Sequence, residues 1–185
     1  MACPITVTKF IGTISLGLLT GLSYSASTIT IPSLSVLSTS THASKSLKEV
    51  KRLNRRHGFR LATIGETCLL FAYSISPRHR KHPYLLWMST MSFLATFGVD
   101  YYFQRDLGFN AWFWDLAADI GPVRLFKKSQ KKEEDIVVVE AEEDVNGEVV
   151  RREMEKERRM QGMRAIFSGI ALSMGIVGLW GDRRS

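Results

Sequence analysis

Residues Phe10 to Ile31 form a stretch of twenty-two residues without a formal charge, preceded by Lys9 and followed by Pro32. At about 1.5 Å of rise per residue, a helix of this length covers roughly 33 Å, slightly more than the hydrocarbon thickness of a bilayer. The stretch therefore predicts a transmembrane helix. The alternative is a cleaved secretory signal whose hydrophobic region lies at 11–22.

Charged and apolar residues are segregated along the rest of the chain. Apolar residues make up 45% of the sequence, a value typical of soluble proteins, but they cluster in a few runs with the charges between them. A soluble amphipathic fold would interleave the two classes with a helix or strand period. We therefore predict an all-α membrane protein with about four transmembrane helices. The first three spans are expected at about 10–31, 59–77 and 83–103, and the fourth within 163–185.

These spans divide the chain into three regions: a three-span region at 1–103, a hydrophilic region at 104–162, and a fourth span with a short tail at 163–185. At the start of the second region apolar residues recur every three to four positions between aspartates, which predicts an amphipathic helix in the membrane interface. The acidic stretch 133–148 has little apolar content. It favours a solvated, partly disordered linker over a small folded lobe.

Small residues recur every fourth position in the first and last apolar runs. Such stripes allow close approach of another helix in a membrane. Two interpretations are open: the two stripes pack on each other or on a second copy of the chain, or the helices are merely rich in small residues. The stripes are Gly17, Gly21 and Ser25, and Ala165, Gly169 and Ser173.

A dense basic run follows the first span, from Lys45 to Arg60. It is interpreted as the topological anchor of a short loop, and alternatively as a surface for anionic lipid headgroups or an acidic partner. The residues concerned are Lys51, Arg52, Arg55 and Arg56. The net charge of +7 comes largely from residues that flank apolar runs, so nucleic-acid binding is not predicted.

Glu66 lies inside the second apolar run, where an ionisable side chain costs several kcal/mol unless it faces other helices or water. We expect a structural role, with the carboxyl group hydrogen-bonded to Thr63 or Ser89. The functional alternative is a proton relay. The second and third runs are joined by the basic turn 78–82, which predicts an antiparallel hairpin.

Two short patterns invite a binding interpretation. His79 and His82 have no acidic or thiol companion, so a metal site is not predicted. Phe113 and Leu116 frame an aromatic-x-x-aliphatic sequence of the kind that adds beside a sheet edge in autophagy receptors, although such patterns are common by chance.

The sequence contains no pattern that carries catalysis. No phosphate-binding loop, catalytic triad or pair of carboxylates is recognisable, and no cofactor is predicted. Cys3 and Cys68 suggest no disulfide framework. Four spans would place both termini on one side and the loop after the first span, with the long middle region, in the cytosol.

Three groups of residues together carry a family resemblance. They are Thr8-Lys9, Ile11, Ser15, Gly17-Leu18, Gly21-Leu22, Ser25-Ala26-Ser27 and Ile29-Thr30; His82-Pro83-Tyr84-Leu85-Leu86; and Ile176-Val177-Gly178-Leu179-Trp180-Gly181. The chain resembles the autophagy-related protein 33 family of fungal mitochondrial outer-membrane proteins. The resemblance covers the four apolar segments, and 45–60 and 105–161 do not share in it.

The resemblance implies a multi-pass, non-enzymatic protein of the mitochondrial outer membrane that promotes mitophagy. The expected partners are membrane lipids and the autophagy machinery or other outer-membrane proteins. Two alternatives are kept. One is a small tetraspan scaffold or assembly factor without an autophagy role, and the other is transport through Glu66.

Overall fold

The computed structural model describes residues 4–37, 39–76, 83–105, 108–120 and 147–181, with the side chains of 115 and 117–120 excluded. Within these residues the regular structure is helical throughout, in agreement with the predicted fold class. The elements are α1 (Pro4–Ser25), a π-helical turn (Ala26–Thr30), α2 (Ile31–Leu34), α3 (Ser40–Ile75), α4 (Tyr84–Phe93), a second π-helical turn (Leu94–Gly98), α5 (Val99–Gln104), α6 (Phe109–Ile120) and α7 (Gly147–Gly181).

The long helices form an up-and-down bundle. Helices α3 and α7 each pack against both α1 and α4. Thr13 lies beside Gly175 and Thr20 beside Ser168, so α1 and α7 run antiparallel. The first and last described residues therefore lie at one end of the bundle, and α6 and the start of α7 lie towards the other.

The outer surface of the bundle is divided into two parts. Exposed residues of α3 are mainly charged up to Arg60 and mainly apolar from Ile64 onwards, and α7 changes in the same way near Met163. Both changes occur at one level, because a β-carbon on Gly58 would lie 3.4 Å from Arg164 Nη1 and 3.7 Å from Leu19 Cδ1. We call the two parts the apolar half and the charged half.

Each half has its own core. In the apolar half, side chains from four helices meet: Leu16, Leu69, Leu85, Met88 and Ala171. In the charged half, α2, α3 and α7 enclose a second cluster: Ile31, Ala43, Leu47, Val150 and Met154. The core thus draws on four helices in the apolar half and on three in the charged half, because α4 and α5 end at the level of the transition.

Two helical stretches among the described residues are long and apolar enough to cross a membrane: Ile5–Leu34 and Gly147–Gly181. The prediction of four transmembrane helices is therefore supported for two of them. The stretches at 59–77 and 83–103 are helical over most of their length but do not meet this standard, since α3 also carries the basic run and Glu66.

Two expected boundaries are wrong. The basic run Lys45 to Arg60 does not form a loop, because it lies within one continuous helix, Ser40–Ile75. The first helix also continues past Pro32, whose ring removes a backbone donor from the helix interior. The π-helical turn Ala26–Thr30 directly before it supplies the wider turn that accommodates the proline.

The closest approach of α1 to α3 occurs at two glycines. A β-carbon on Gly65 would lie 3.6 Å from Ser15 Cβ and 3.7 Å from the Gly12 carbonyl oxygen. The small-residue stripes contribute less than expected to the packing of α1 on α7. Gly17 faces Leu172 and Gly169 faces Thr20, whereas Gly21 and Ser173 are exposed and a β-carbon on Gly21 would meet nothing within 4 Å.

Gly65→Leu is expected to lower the free energy of unfolding by about 1–3 kcal/mol, because the branched side chain must force α1 and α3 apart. Gly65→Ala should be tolerated, since its β-carbon stays at ordinary contact distance. Gly21→Leu is the matched control and should leave the unfolding temperature unchanged. Thermal unfolding of the three variants in detergent, followed by helical ellipticity, tests this; equal unfolding temperatures for both leucine variants would contradict it.

Three expectations lie outside the described residues: the basic turn with His79 and His82, the acidic linker within 121–146, and the tail after Gly181.

Candidate functional site

A group of charged and polar side chains, most of them buried, lies at the level where the charged half meets the apolar half. It draws on α3, α5, α6 and α7. We call it the polar cluster, and it consists of Lys51, Arg55, Asp100, Gln104, Trp112, Glu157, Gln161 and Arg164.

Asp100 is the centre of the polar cluster and is completely buried, with 0% of its surface exposed. Its Oδ2 atom lies 3.2 Å from Arg55 Nη2 and accepts a hydrogen bond from Trp112 Nε1 at 2.9 Å. Its Oδ1 atom lies 3.5 Å from Arg164 Nη2 and accepts from Gln104 Nε2 at 3.4 Å. A single carboxylate therefore joins four helices.

The π-helical turn Leu94–Gly98 helps to aim Asp100 inward. An extra residue in a helix turns everything after it by about 100°. With regular α-helical geometry, Asp100 would lie near the margin of the face that buries Leu85, Ser92 and Thr96. The wider turn brings it to the middle of that face.

The cluster continues into the charged half through α7. Glu157 is buried and accepts a hydrogen bond from Gln161 Nε2 at 2.9 Å, and its Oε2 atom lies 3.8 Å from Lys51 Nζ. Arg164 is 1% exposed, and both Asp100 and Glu157 contribute favourable charge to it. Two buried carboxylates thus face two buried guanidinium groups.

Phe59 closes the cluster on the side of the apolar half. The guanidinium carbons of Arg55 and Arg164 each lie 5.8 Å from the centre of its ring, within the range of cation–π attraction. The same ring is 5.4 Å from that of Phe97 and packs with Trp112 and Leu116.

Helix α6 is docked on the bundle through this cluster. Gly108, with a φ of 79°, makes the preceding turn and donates its N–H to the Arg105 carbonyl at 3.1 Å, a conformation that favours glycine. Trp112 and Leu116 then point into the bundle, and Phe113 and Trp114 are exposed. The prediction of an amphipathic helix in this region agrees with the structure.

The partner motif framed by Phe113 and Leu116 is not available as predicted. Phe113 is exposed, but Leu116 is only 5% exposed and packs against Phe59. The reason is the docking of α6: Leu116 lies on the apolar stripe that faces the bundle, and Phe113 lies outside that stripe.

The side chains of the basic run differ in their exposure to solvent. Lys51 and Arg52 are exposed, with Arg52 Nη2 2.8 Å from Glu49 Oε2, and Arg56 is partly buried. Arg55 is buried in the polar cluster beside Asp100 and is not exposed to lipid headgroups, while its role in setting the topology stays a prediction. Sequence reasoning did not distinguish it from its neighbours.

Glu66 lies where α3 faces α4. Ser89 Oγ donates a hydrogen bond to Glu66 Oε2 at 2.5 Å, and Ser92, on the same face of α4, is completely buried. Of the two proposed partners, Ser89 is the one that the structure pairs with Glu66. Thr63 instead donates to the Phe59 carbonyl at 2.7 Å.

Glu66→Gln is expected to leave helix packing and protein abundance unchanged, because an amide oxygen can still accept the hydrogen bond from Ser89. Glu66→Ala should lower the unfolding temperature, since it leaves the buried face of α4 without that acceptor. Abundance in membranes and thermal unfolding of both variants test this. A Gln variant as unstable as the Ala variant would show that the charge itself is required.

The chain matches the family model of autophagy-related protein 33 over residues 1–143. It belongs to the autophagy-related protein 33 family. The autophagy-related protein 33 of Gibberella zeae is 29% identical over 96% of this chain and 91% of its own length. Family membership implies an autophagy-related role. No solved structure matches the chain.

The family match extends further than the sequence patterns suggested. Residues 1–143 include the basic run and much of the hydrophilic region, so the resemblance is not confined to the apolar segments. In this member of the autophagy-related protein 33 family, Arg55, Asp100 and Trp112 of the polar cluster all lie within the matched residues.

The contacts of the polar cluster in this family member position helices relative to one another. Its carboxylates are taken up by arginine, lysine, glutamine and tryptophan donors, and no nucleophile is paired with a base there. Among the described residues no group of three or more His, Cys, Asp or Glu side chains is placed to hold a metal ion. The arrangement joins α6, and the chain that continues from it, to the bundle.

Sequence reasoning missed Asp100, Arg164 and Trp112 as members of one site. Asp100 lies within the expected third span, 83–103, and Arg164 near the start of the expected fourth, within 163–185, and neither sequence pattern predicts a pairing. The sequence did contain a signal. Asp100 and Arg164 each interrupt an otherwise apolar helical face near the end of a predicted span, and an acid and a base at the same depth can form an ion pair.

Proposed function

We propose that this protein is a non-enzymatic integral protein of the mitochondrial outer membrane that promotes selective autophagy of mitochondria. The family match over residues 1–143 carries this proposal. The alternative of a tetraspan scaffold or assembly factor without an autophagy role has no observation of its own in the structure.

Membrane integration is supported by the surface of the apolar half. From Phe59 to Ser76, from Pro83 to Asp100 and from Arg164 to Gly181, each helical segment has about eighteen residues, or roughly 27 Å at helical rise. This is close to the hydrocarbon thickness of about 30 Å. We place all four long helices in the bilayer over this length, with Glu66 facing Ser89 instead of lipid.

The charged half, α6 and the region 121–146 then lie together on one side, which we assign to the cytosol, where the autophagy machinery is found. Most lysine and arginine residues belong to this side, as the positive-inside tendency requires. The polar cluster lies at the boundary and holds α6 against the bundle there.

Carbonate extraction and protease protection of isolated mitochondria test the placement. The protein should remain in the membrane pellet. A tag inserted after Asn146 should be digested in intact mitochondria, and a C-terminal tag should be protected until the outer membrane is ruptured. Release of the protein into the supernatant would overturn the proposal.

A mitophagy assay tests the role. Cells that lack the protein should show reduced starvation-induced delivery of a mitochondrial matrix reporter to the vacuole, with general autophagy unchanged as the control. Normal mitochondrial turnover would favour the scaffold alternative. Loss of turnover with Glu66→Gln, at normal protein abundance, would instead favour transport.

A further inference from the structure

The seam between α1 and α7 carries two cavities on its outer side. The cavity in the apolar half, which we call the lower cavity, has a volume of about 520 Å³. It is lined almost entirely by apolar side chains, among them Ile14, Leu18, Leu172, Ile176 and Trp180. The cavity in the charged half, which we call the upper cavity, has a volume of about 330 Å³. It is lined by Ser27, Thr28, Glu155, Arg158, Arg159 and Gly162. Both are open, shallow depressions on the bundle surface, with volumes in the range of roughly 300–1,000 Å³ that small-molecule sites have.

The two cavities lie one after the other along the same seam, which we call the α1/α7 groove. Gly17 lines the lower cavity, Thr28 lines the upper one, and Gly21 lies between them on the same face of α1. A β-carbon on Gly21 would meet nothing within 4 Å, so the seam stays open between the cavities. From Leu18 to Ser27 the distance along the helix is roughly 14 Å.

The upper cavity is cationic. Glu155 accepts a hydrogen bond from Arg159 at 2.5 Å, so these two charges offset each other. Arg158 forms no ion pair with any residue that the structure describes, so the described lining of this cavity carries one more positive than negative charge. A guanidinium group in such a position suits a phosphate, which it can bind through two parallel hydrogen bonds.

The two cavities also lie at the depths that the headgroup and the acyl chains of a membrane lipid occupy. Arg158 and Gly162 precede Arg164 by less than two helical turns, on the charged side of the transition, so the upper cavity is at headgroup level. The lower cavity lies in the apolar half, at the level of the acyl chains.

We propose that the α1/α7 groove is a binding site for one anionic glycerophospholipid, with its phosphate against Arg158 and an acyl chain along Gly21 into the lower cavity. The inference rests on the proposed placement in a membrane. A second copy of the chain suits the groove less well, because a symmetric pair on this seam would bring Arg158 towards its own copy.

Native mass spectrometry of the purified full chain tests the site, with phosphatidic acid and phosphatidylcholine of identical acyl chains as probes. The wild type should bind phosphatidic acid more tightly. Arg158→Gln should weaken that binding at least about tenfold, as expected for loss of a charge-assisted contact to phosphate. Arg52→Gln is the matched control: an exposed arginine on α3 that lies outside the groove at nearly the same depth, since the neighbouring Lys51 Nζ lies 3.8 Å from Glu157 Oε2. It should bind like the wild type.

Gly21→Leu should weaken binding of both lipids, because the side chain fills the open seam. Equal affinity of the wild type for the two lipids, unchanged binding by Arg158→Gln, or an equal loss with Arg52→Gln would overturn the site. A dimer that Gly21→Leu abolishes would assign the groove to a second copy. These binding results are separate from carbonate extraction and mitophagy, so the groove can fail while the proposed function stands.

Discussion

Asp100→Asn is expected to lower the free energy of unfolding by about 3–5 kcal/mol, the largest effect of a polar substitution in this protein. The change leaves the guanidinium groups of Arg55 and Arg164 buried without the carboxylate that lies 3.2 and 3.5 Å from them. Breaking a buried ion pair on one side costs this much because the remaining charge stays out of water. Thermal or denaturant unfolding in detergent measures it.

Two comparisons isolate the cause. Glu49→Gln removes the acid of an exposed ion pair with Arg52 and should change the stability by less than about 1 kcal/mol. Combining Asp100→Asn with Arg164→Met removes a stranded charge together with its partner, so the double variant should be less destabilised than the sum of the single variants. Strict additivity would show that the ions act independently.

Phe59→Ala is expected to destabilise the protein by about 3–5 kcal/mol and to release α6. The ring is completely buried, packs with Trp112 and Leu116, and lies beneath both arginines of the polar cluster. Its removal therefore leaves a cavity and takes away the surface on which α6 docks. Unfolding in detergent gives the first effect, and limited proteolysis after α6 reports the second.

Phe71→Ala is the matched control, because Phe71 lies on the same helix in the apolar half but is more than half exposed. Its loss should have little effect on unfolding in detergent and none on proteolysis near α6. Phe59→Leu should be intermediate, since it refills part of the cavity. If Phe59→Ala left α6 as resistant to protease as in the wild type, docking through the cluster would be wrong.

The helical fold class was predictable because it depends on local properties. Long uncharged runs, small residues and the spacing of aromatic residues at 104–126 are each visible within one segment of the sequence. Helix ends were harder to place. The sequence predicts a loop for the basic run from Lys45, yet this run is part of α3. The buried side chains of this part of α3 pack on α2, which lies before the preceding turn, and on α7, which is distant in sequence.

The site shows the same division. The pairing of Glu66 with Ser89 was foreseeable, since only two neighbouring segments and one hairpin had to be known. Arg55, Asp100 and Arg164 come from three helices, and only their arrangement in the bundle shows that they are partners. Their charges were visible, but an identical arginine at position 52 is solvated and pairs with Glu49.

The sequence by itself thus determined that this chain is helical, that its apolar runs are segregated from its charges, and which family it resembles. Only the tertiary structure decided where the charged half ends, which arginines are buried, and that α6 docks through Trp112. The physical reason is that hydrophobicity and helix period act along one segment, whereas burial of a charge depends on which helices surround it.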